Sequence, residues 1–228
     1  MNQLSSAMLE SSATRKDTLV VKEIFCSLQG ESRSVGWPTV FVRLTGCPLR
    51  CSYCDTAYAF SGGEALKISQ ILEAVAAYGV RHVTLTGGEP LAQSRSLLLL
   101  SSLCDQGYEV SLETSGSLDI AGVDSRVVKI VDFKTPASGE MDKNHLDNIA
   151  HLTSQDQVKF VIQDRADYEW AVDFVSTHTL SAKCEVLFSP VTGKLNPTHL
   201  ADWIVEDRLA VRFQLQLHKI LWGDQPGK

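Results

Sequence analysis

The tightest constraint on this chain is an alternation of apolar, β-branched runs with segments of helical spacing. LVVKEIFCSL, TVFVRLTG, HVTLT, YEVSLET, VVKIVDF, QVKFVIQ and CEVLFSP read as strands, and VRFQLQLHK reads as the last one. Between them, Ile68, Ile71, Leu72, Val75 and Ala76 recur at helical spacing and Gly79 supplies a stop. Helices are also predicted over 94–106, 167–177 and 197–207, and QGESRSVGWP is a loop. Near-continuous apolar strands alternating with helices imply an α/β fold with a parallel sheet covered by helices. Right-handed crossovers curl such a sheet toward a barrel or a doubly wound sheet. About six or seven strands are too few for an eight-stranded barrel, which typically takes ~250 residues, so a partial (β/α) barrel is expected. No repeat or linker divides the chain, and residues 18–228 read as one domain. Residues 1–17 are polar and Ser-rich with no apolar signal core, and read as a disordered tail.

The polar motifs follow the strand ends: QGE, GGEP, ETSG, DFKTPASG and the final HK. In parallel α/β folds the carboxyl ends of the strands build the active site. The formal net charge of −6 argues against a general nucleic-acid binder. No apolar stretch is long enough to span a bilayer, so a membrane role is not expected and the cytoplasm is. Cys26, Cys104 and Cys184 sit in apolar contexts and read as small buried hydrophobes.

The other three cysteines carry chemistry. Cys47, Cys51 and Cys54 are spaced C-x3-C-x2-C on a loop after a strand. Soft thiolates so close together suit zinc or an iron–sulfur cluster. A structural zinc site takes four closed ligands, and no fourth Cys or His lies nearby in sequence. Three thiolates on a four-iron cluster leave one iron open to a small chelating molecule. Zinc with a remote fourth ligand and three inert core cysteines are the competing readings. Downstream, Gly87-Gly88-Glu89-Pro90 offers bare backbone for close approach and a carboxylate for an ammonium group. Thr86, just before it, faces the same region.

The triad and the GGE motif together resemble the radical S-adenosylmethionine (SAM) superfamily. The resemblance implies a radical SAM core with a [4Fe–4S] cluster on Cys47, Cys51 and Cys54. It implies that SAM chelates the open iron, and that Gly87, Gly88 and Glu89 hold SAM. Further residues narrow the likeness: Phe25, Ser27-Leu28-Gln29-Gly30-Glu31, Gly36-x-Pro38, Phe41-x-Arg43, Cys54-Asp55-Thr56 and Asp132-x-Lys134-x-Pro136. Ser138-Gly139, Val158-Lys159-Phe160, Ser189-Pro190 and Gln216-x-His218-Lys219 continue it, so it runs from about residue 20 to the end. This set is similar to the 7-carboxy-7-deazaguanine synthase family of queuosine biosynthesis. That likeness implies a lyase that converts 6-carboxy-5,6,7,8-tetrahydropterin to 7-carboxy-7-deazaguanine with release of ammonia, using SAM and Mg²⁺.

Site roles follow from the same resemblance. Leu28, Gln29, Gly30, Glu31, Arg43, Thr86, His218 and the terminal Lys228 are expected on the pterin. Arg43 also has a physical reason, since its planar fork suits a carboxylate. Thr56 is expected on Mg²⁺, which keeps waters and binds largely through its substrate. Ser115, Lys134, Ser138, Gln163 and Asp164 are expected around SAM. Ser32, Ser115 and Ala137 depart from the family's commoner residues at their positions, and the substitutes are all small. A homodimer and an electron donor of flavodoxin or ferredoxin type are further implications. A radical SAM activase of a partner enzyme shares the triad but has no need of the QGE, CDT and QLHK set, and a zinc-binding interaction module stands as the non-enzymatic alternative.

Overall fold

The structure is a computed structural model that describes residues 17–223, 225 and 227. The N-terminal tail, apart from Asp17, and Lys228 therefore lie outside the described residues. Among the described residues nine strands form one sheet in the order β3-β1-β2-β4-β5-β6-β7-β8-β9. They are β1 (Thr18–Leu28), β2 (Pro38–Leu44), β3 (Glu64–Lys67), β4 (His82–Gly87), β5 (Glu109–Thr114), β6 (Val128–Asp132), β7 (Gln157–Ile162), β8 (Glu185–Pro190) and β9 (Arg212–Phe213). Five α-helices among the described residues connect or follow them: α1 (Ile68–Ala76), α2 (Ser96–Asp105), α3 (Arg165–Thr177), α4 (Pro197–Glu206) and α5 (Leu217–Trp222).

From β2 through β9 (leaving out β3) the pairing is parallel, as the alternating pattern requires. Three features depart from expectation. β1 runs antiparallel to β2, because the chain between them is a helix-free loop and a parallel return needs a longer crossover. β3 was not visible as a strand: its four largely exposed residues pair with β1 at the sheet edge and carry no apolar period.

The last segment is the third departure. Its QLQLH alternation reads as a strand, yet pairing stops at Phe213 and α5 begins at Leu217. Tertiary contact overrides the local pattern here: the Leu217 N–H donates to the Gly30 carbonyl at 3.0 Å. That bond joins the chain after β9 to the loop after β1 and draws the two flanks of the curled sheet together. An alanine Cβ at position 30 would overlap the His218 imidazole, so this closure requires glycine.

The loop after β1 crosses the amino end of the barrel. The Arg33 N–H donates to Gln157 Oε1 at the start of β7, and Trp37 packs on His82 at the start of β4. Ser32 in this loop adopts φ 67°, a left-handed conformation that explains why glycine suits the position. The QGE motif thus closes the amino end of the barrel with His218 of the final HK packed on Gly30, whereas GGEP, ETSG and DFKTPASG stand at the carboxyl ends.

Each inner strand alternates strictly. Val40, Val42, Val83, Leu85, Leu112, Val131, Val158 and Phe160 face the helices in one apolar core. Their neighbours Arg43, Thr86, Glu113, Asp132 and Lys159 face the barrel interior. Phe133 stacks on Phe160, Phe160 meets Phe188 edge-on and Phe188 meets Tyr168 of α3 edge-on, and each fully buried large side chain contributes about 1.5–3 kcal/mol. Cys184 is buried in this core and Cys104 packs against it, while Cys26 is half-buried. The β6–β7 connection is pinned by Asp156, which accepts from Lys129 N and from Thr153 N and Oγ1 and pairs with Lys129 Nζ at 3.0 Å. Replacing Asp156 with Ala leaves a buried ammonium unpaired and should cost roughly 3–5 kcal/mol. Thermal or denaturant unfolding measures this, and a loss below about 1 kcal/mol would show that the connection does not depend on the pair.

Candidate active site

The barrel interior is a cavity of about 580 Å³, within the size range of small-molecule sites. Its wall at the carboxyl ends of the strands is the cysteine loop. Gly46 N donates to Ala59 O, Glu89 N donates to Gly46 O at 2.7 Å, and Gly88 N donates to Leu44 O. A Cβ at Gly88 would overlap both the Gly46 carbonyl and the Cys47 side chain, so the GGE turn is bare because it lies directly against the cysteine loop. The loop's far side is docked on the segment after β6: Ser52 N donates to Ser138 O, Ser52 Oγ to Ala137 O, and Arg50 N to Glu140 Oε1.

Cys47, Cys51 and Cys54 all line the cavity as free thiols. Burial raises the Cys47 thiol and pushes Cys51 up to about 11 against the pull of Lys134, so cluster assembly on them must release protons. Among the described residues no three His, Cys, Asp or Glu side chains converge on a single metal ion. A four-iron cluster sets thiolates at its corners rather than around one point, and three soft donors on one cavity wall fit it.

Below the loop a line of buried charges crosses the interior. Glu31 pairs with Lys159 at 2.7 Å, Lys159 with Asp132 at 3.4 Å, and Asp132 with Lys134 at 3.0 Å. Asp132 and Lys159 are cross-strand partners in the β6–β7 register. Burial disfavours the Glu31 carboxylate, but Lys159 and a hydrogen bond from Gln216 more than offset it and hold its pKa at about 2. Burial likewise opposes the Lys159 and Lys134 ammonium groups, yet Glu31 and Asp132 keep Lys159, and Asp132 keeps Lys134, above the ordinary range. Burial lowers the His218 pKa despite Glu31 and Asp55, which leaves a neutral imidazole able to donate and accept.

The cavity gathers most of the residues singled out from the sequence. Leu28, Gln29, Gly30 and Glu31 reach it from the amino end, and His218 comes from α5. Arg43, Thr86, Gly87, Gly88, Ser115 and Lys134 line it from the strands and their ends. Arg43 gives its Nε edge to Glu23 at 2.8 Å and lies over the Phe25 and Tyr58 rings, which fixes its guanidinium plane. The Thr56 hydroxyl donates to Asp55 Oδ1 at 2.7 Å, which leaves its oxygen lone pairs for a cation such as Mg²⁺.

Four candidates lie behind the wall. Glu89 is fully buried and accepts from Leu91 N, Thr114 Oγ1, Ser115 N and Ser115 Oγ, so its carboxylate ties the GGE turn to the end of β5. The Ser138 hydroxyl donates to Thr135 O. The Gln163 N–H donates to Asp167, and Asp164 caps α3. Conversely, Tyr53, Glu113, Asp132, Lys159 and Gln216 line the cavity, although the sequence reading gave none of them a binding role. For Glu113, Asp132 and Lys159 a signal was available: a charged residue at the inward position of an otherwise apolar strand is costly unless it serves the interior.

The Radical SAM superfamily model matches residues 41–132. A 7-carboxy-7-deazaguanine synthase of Chlorobaculum tepidum is 46% identical over 208 residues, covering 90% of this chain and 94% of the relative. The enzyme of the same name from Koribacter versatilis is 45% identical, covering 89% and 96%. The crystal structure of QueE from Escherichia coli shares the fold with a TM-score of 0.73 at 24% identity, over 88% of this chain and 95% of that one.

Glu31 ties pH to stability in a defined direction. Its folded pKa of about 2 lies below the ordinary 4.5, so its contribution is complete above about pH 4.5 and is lost as pH falls toward 2. In acid-unfolding curves of metal-free protein, Glu31→Gln should flatten the loss of stability between pH 4.5 and 2. An unchanged acid limb would remove the Lys159 pair as its cause.

Proposed function

We infer the reaction from kinship and site together: the chain belongs to the 7-carboxy-7-deazaguanine synthase family, within the radical SAM superfamily. It is a carbon–nitrogen lyase of queuosine biosynthesis with a [4Fe–4S] cluster, SAM and Mg²⁺ as cofactors. Its reaction is the ring contraction of 6-carboxy-5,6,7,8-tetrahydropterin to 7-carboxy-7-deazaguanine with loss of ammonia. The observation that carries the reading is that one cavity joins the three cysteines to Gln29, Glu31 and Arg43. Relatives of that name at 34–46% identity favour it over an activase or a zinc-binding module.

Cys47, Cys51 and Cys54 hold the cluster, which with SAM supplies a 5′-deoxyadenosyl radical. Gly87 and Gly88, bare so that the turn packs on the cysteine loop, offer SAM their backbone from the cavity side, and Glu89 fixes the turn that presents them. Lys134, beside Cys51 and buried with its charge, suits the carboxylate of SAM. Arg43 presents a preset guanidinium to the substrate carboxylate, and Thr56 offers its oxygen to Mg²⁺. Gln29, Glu31 and the backbone of Leu28 and Gly30 hold the heterocycle from the amino end, with neutral His218 against it. Ser115, Ser138, Gln163 and Asp164 complete the surroundings of SAM, and the family likeness supports Lys228 as a further substrate contact. Closure of the barrel floor keeps water from a radical intermediate. Residues 18–228 work as one domain, in a cytoplasmic homodimer served by a flavodoxin- or ferredoxin-type donor.

Anaerobically reconstituted protein given reductant, SAM, Mg²⁺ and the carboxylated tetrahydropterin should form the deazaguanine. SAM cleavage without that product would refute the substrate.

A further inference from the structure

β1 changes register at one place. Val21 lies opposite Leu44, but Glu23 lies opposite Arg43, so Lys22 is the extra residue of a β-bulge. Successive residues of a strand face opposite sides, and one extra residue turns over everything beyond it. In an unbroken register Glu23 would stand opposite Val42, on the face that packs into the apolar core. The bulge brings it to the other face, opposite Arg43 and in line with Phe25 on the cavity side. Bulges recur beside active sites because they re-aim a side chain in this way.

Once re-aimed, one oxygen of Glu23 takes two bonds. Its Oε1 accepts from Arg43 Nε at 2.8 Å and from the Tyr58 hydroxyl at 2.7 Å. Tyr58 sits in the short turn Ala57–Ala59 that begins at Thr56, and the Ala59 N–H donates back to the Thr56 carbonyl at 2.9 Å. Lys22 holds the same segment from the bulge itself, donating to the Ser61 carbonyl at 3.1 Å. With its Nε edge taken, the Arg43 guanidinium keeps its two terminal nitrogens as the fork for a ligand.

Resting on the reading of Arg43 as the carboxylate fork and Thr56 as the Mg²⁺ ligand, we propose that Glu23 is a positioning residue for substrate selection. It fixes the Arg43 fork and the Thr56 turn on a single oxygen, so that both meet the carboxylated ring in one geometry. Glu23 acts through these two side chains and not on the ring itself. The selectivity at stake is for the carboxylated tetrahydropterin over the same ring without its carboxyl group.

The test is titration calorimetry on cluster-loaded protein with SAM and without reductant, comparing those two rings over a range of Mg²⁺ concentrations. The wild-type protein should prefer the carboxylated ring. Glu23→Ala should lower that preference at least about tenfold and leave the affinity for the other ring unchanged. Glu23→Gln, whose Oε1 can still accept both bonds, should retain most of the preference. Tyr58→Phe removes only the bond from the turn, and should raise the Mg²⁺ concentration needed for half-maximal tightening about threefold. A Glu23→Ala variant that keeps or raises the preference, or weakens both rings alike, overturns the proposal. If that variant does not fold, an unchanged Mg²⁺ dependence in Tyr58→Phe overturns it. A wild-type protein that binds both rings equally overturns the carboxylate reading of Arg43, and the proposal with it.

Discussion

The line of buried charges from Glu31 through Lys159 and Asp132 to Lys134 holds the two halves of the site in register. Burying ions is expensive, and each of these is tolerable because its neighbour carries the opposite charge at close range. Two negative and two positive groups balance, so the cavity presents polarity without a net field from this line. One end is fixed in the amino-end loop and the other lies beside the cysteine loop, where Lys134 acts on Cys51. Removing any one member would leave a buried charge and loosen both ends.

This arrangement depends on β1 running against the rest of the sheet. Had every strand run parallel, QGE would have arrived at the same end as the cysteines and the barrel floor would be open. The antiparallel turn sends Gln29 and Glu31 in from below instead, and the Leu217–Gly30 bond locks the floor against the chain after β9. The radical source is built at the carboxyl ends of the strands, and the substrate platform at the amino end faces it.

Much of this was legible in the sequence. Short apolar strands with helices between them gave the parallel sheet, and the cysteine spacing with the double glycine marked the wall of the cavity. The edge strand β3 and the helix at Leu217 were not legible, because one is a short exposed segment and the other is bent by a contact with Gly30, distant in sequence. Lys159 and Glu113 were given no role in the site for a different reason. QVKFVIQ and YEVSLET look like continuous apolar strands, but their period of two sets single charged residues on the inner face. Glu89 shows the reverse: a motif residue whose carboxylate is committed to the backbone and hydroxyls of the next strand end.

The central claim is that cluster, SAM and pterin share one cavity. Electron paramagnetic resonance of the reduced cluster tests it most directly, recorded without ligands, with SAM, and with SAM and the carboxylated tetrahydropterin. The account predicts a four-iron signal that SAM changes and the pterin changes again. A signal indifferent to both ligands would contradict it.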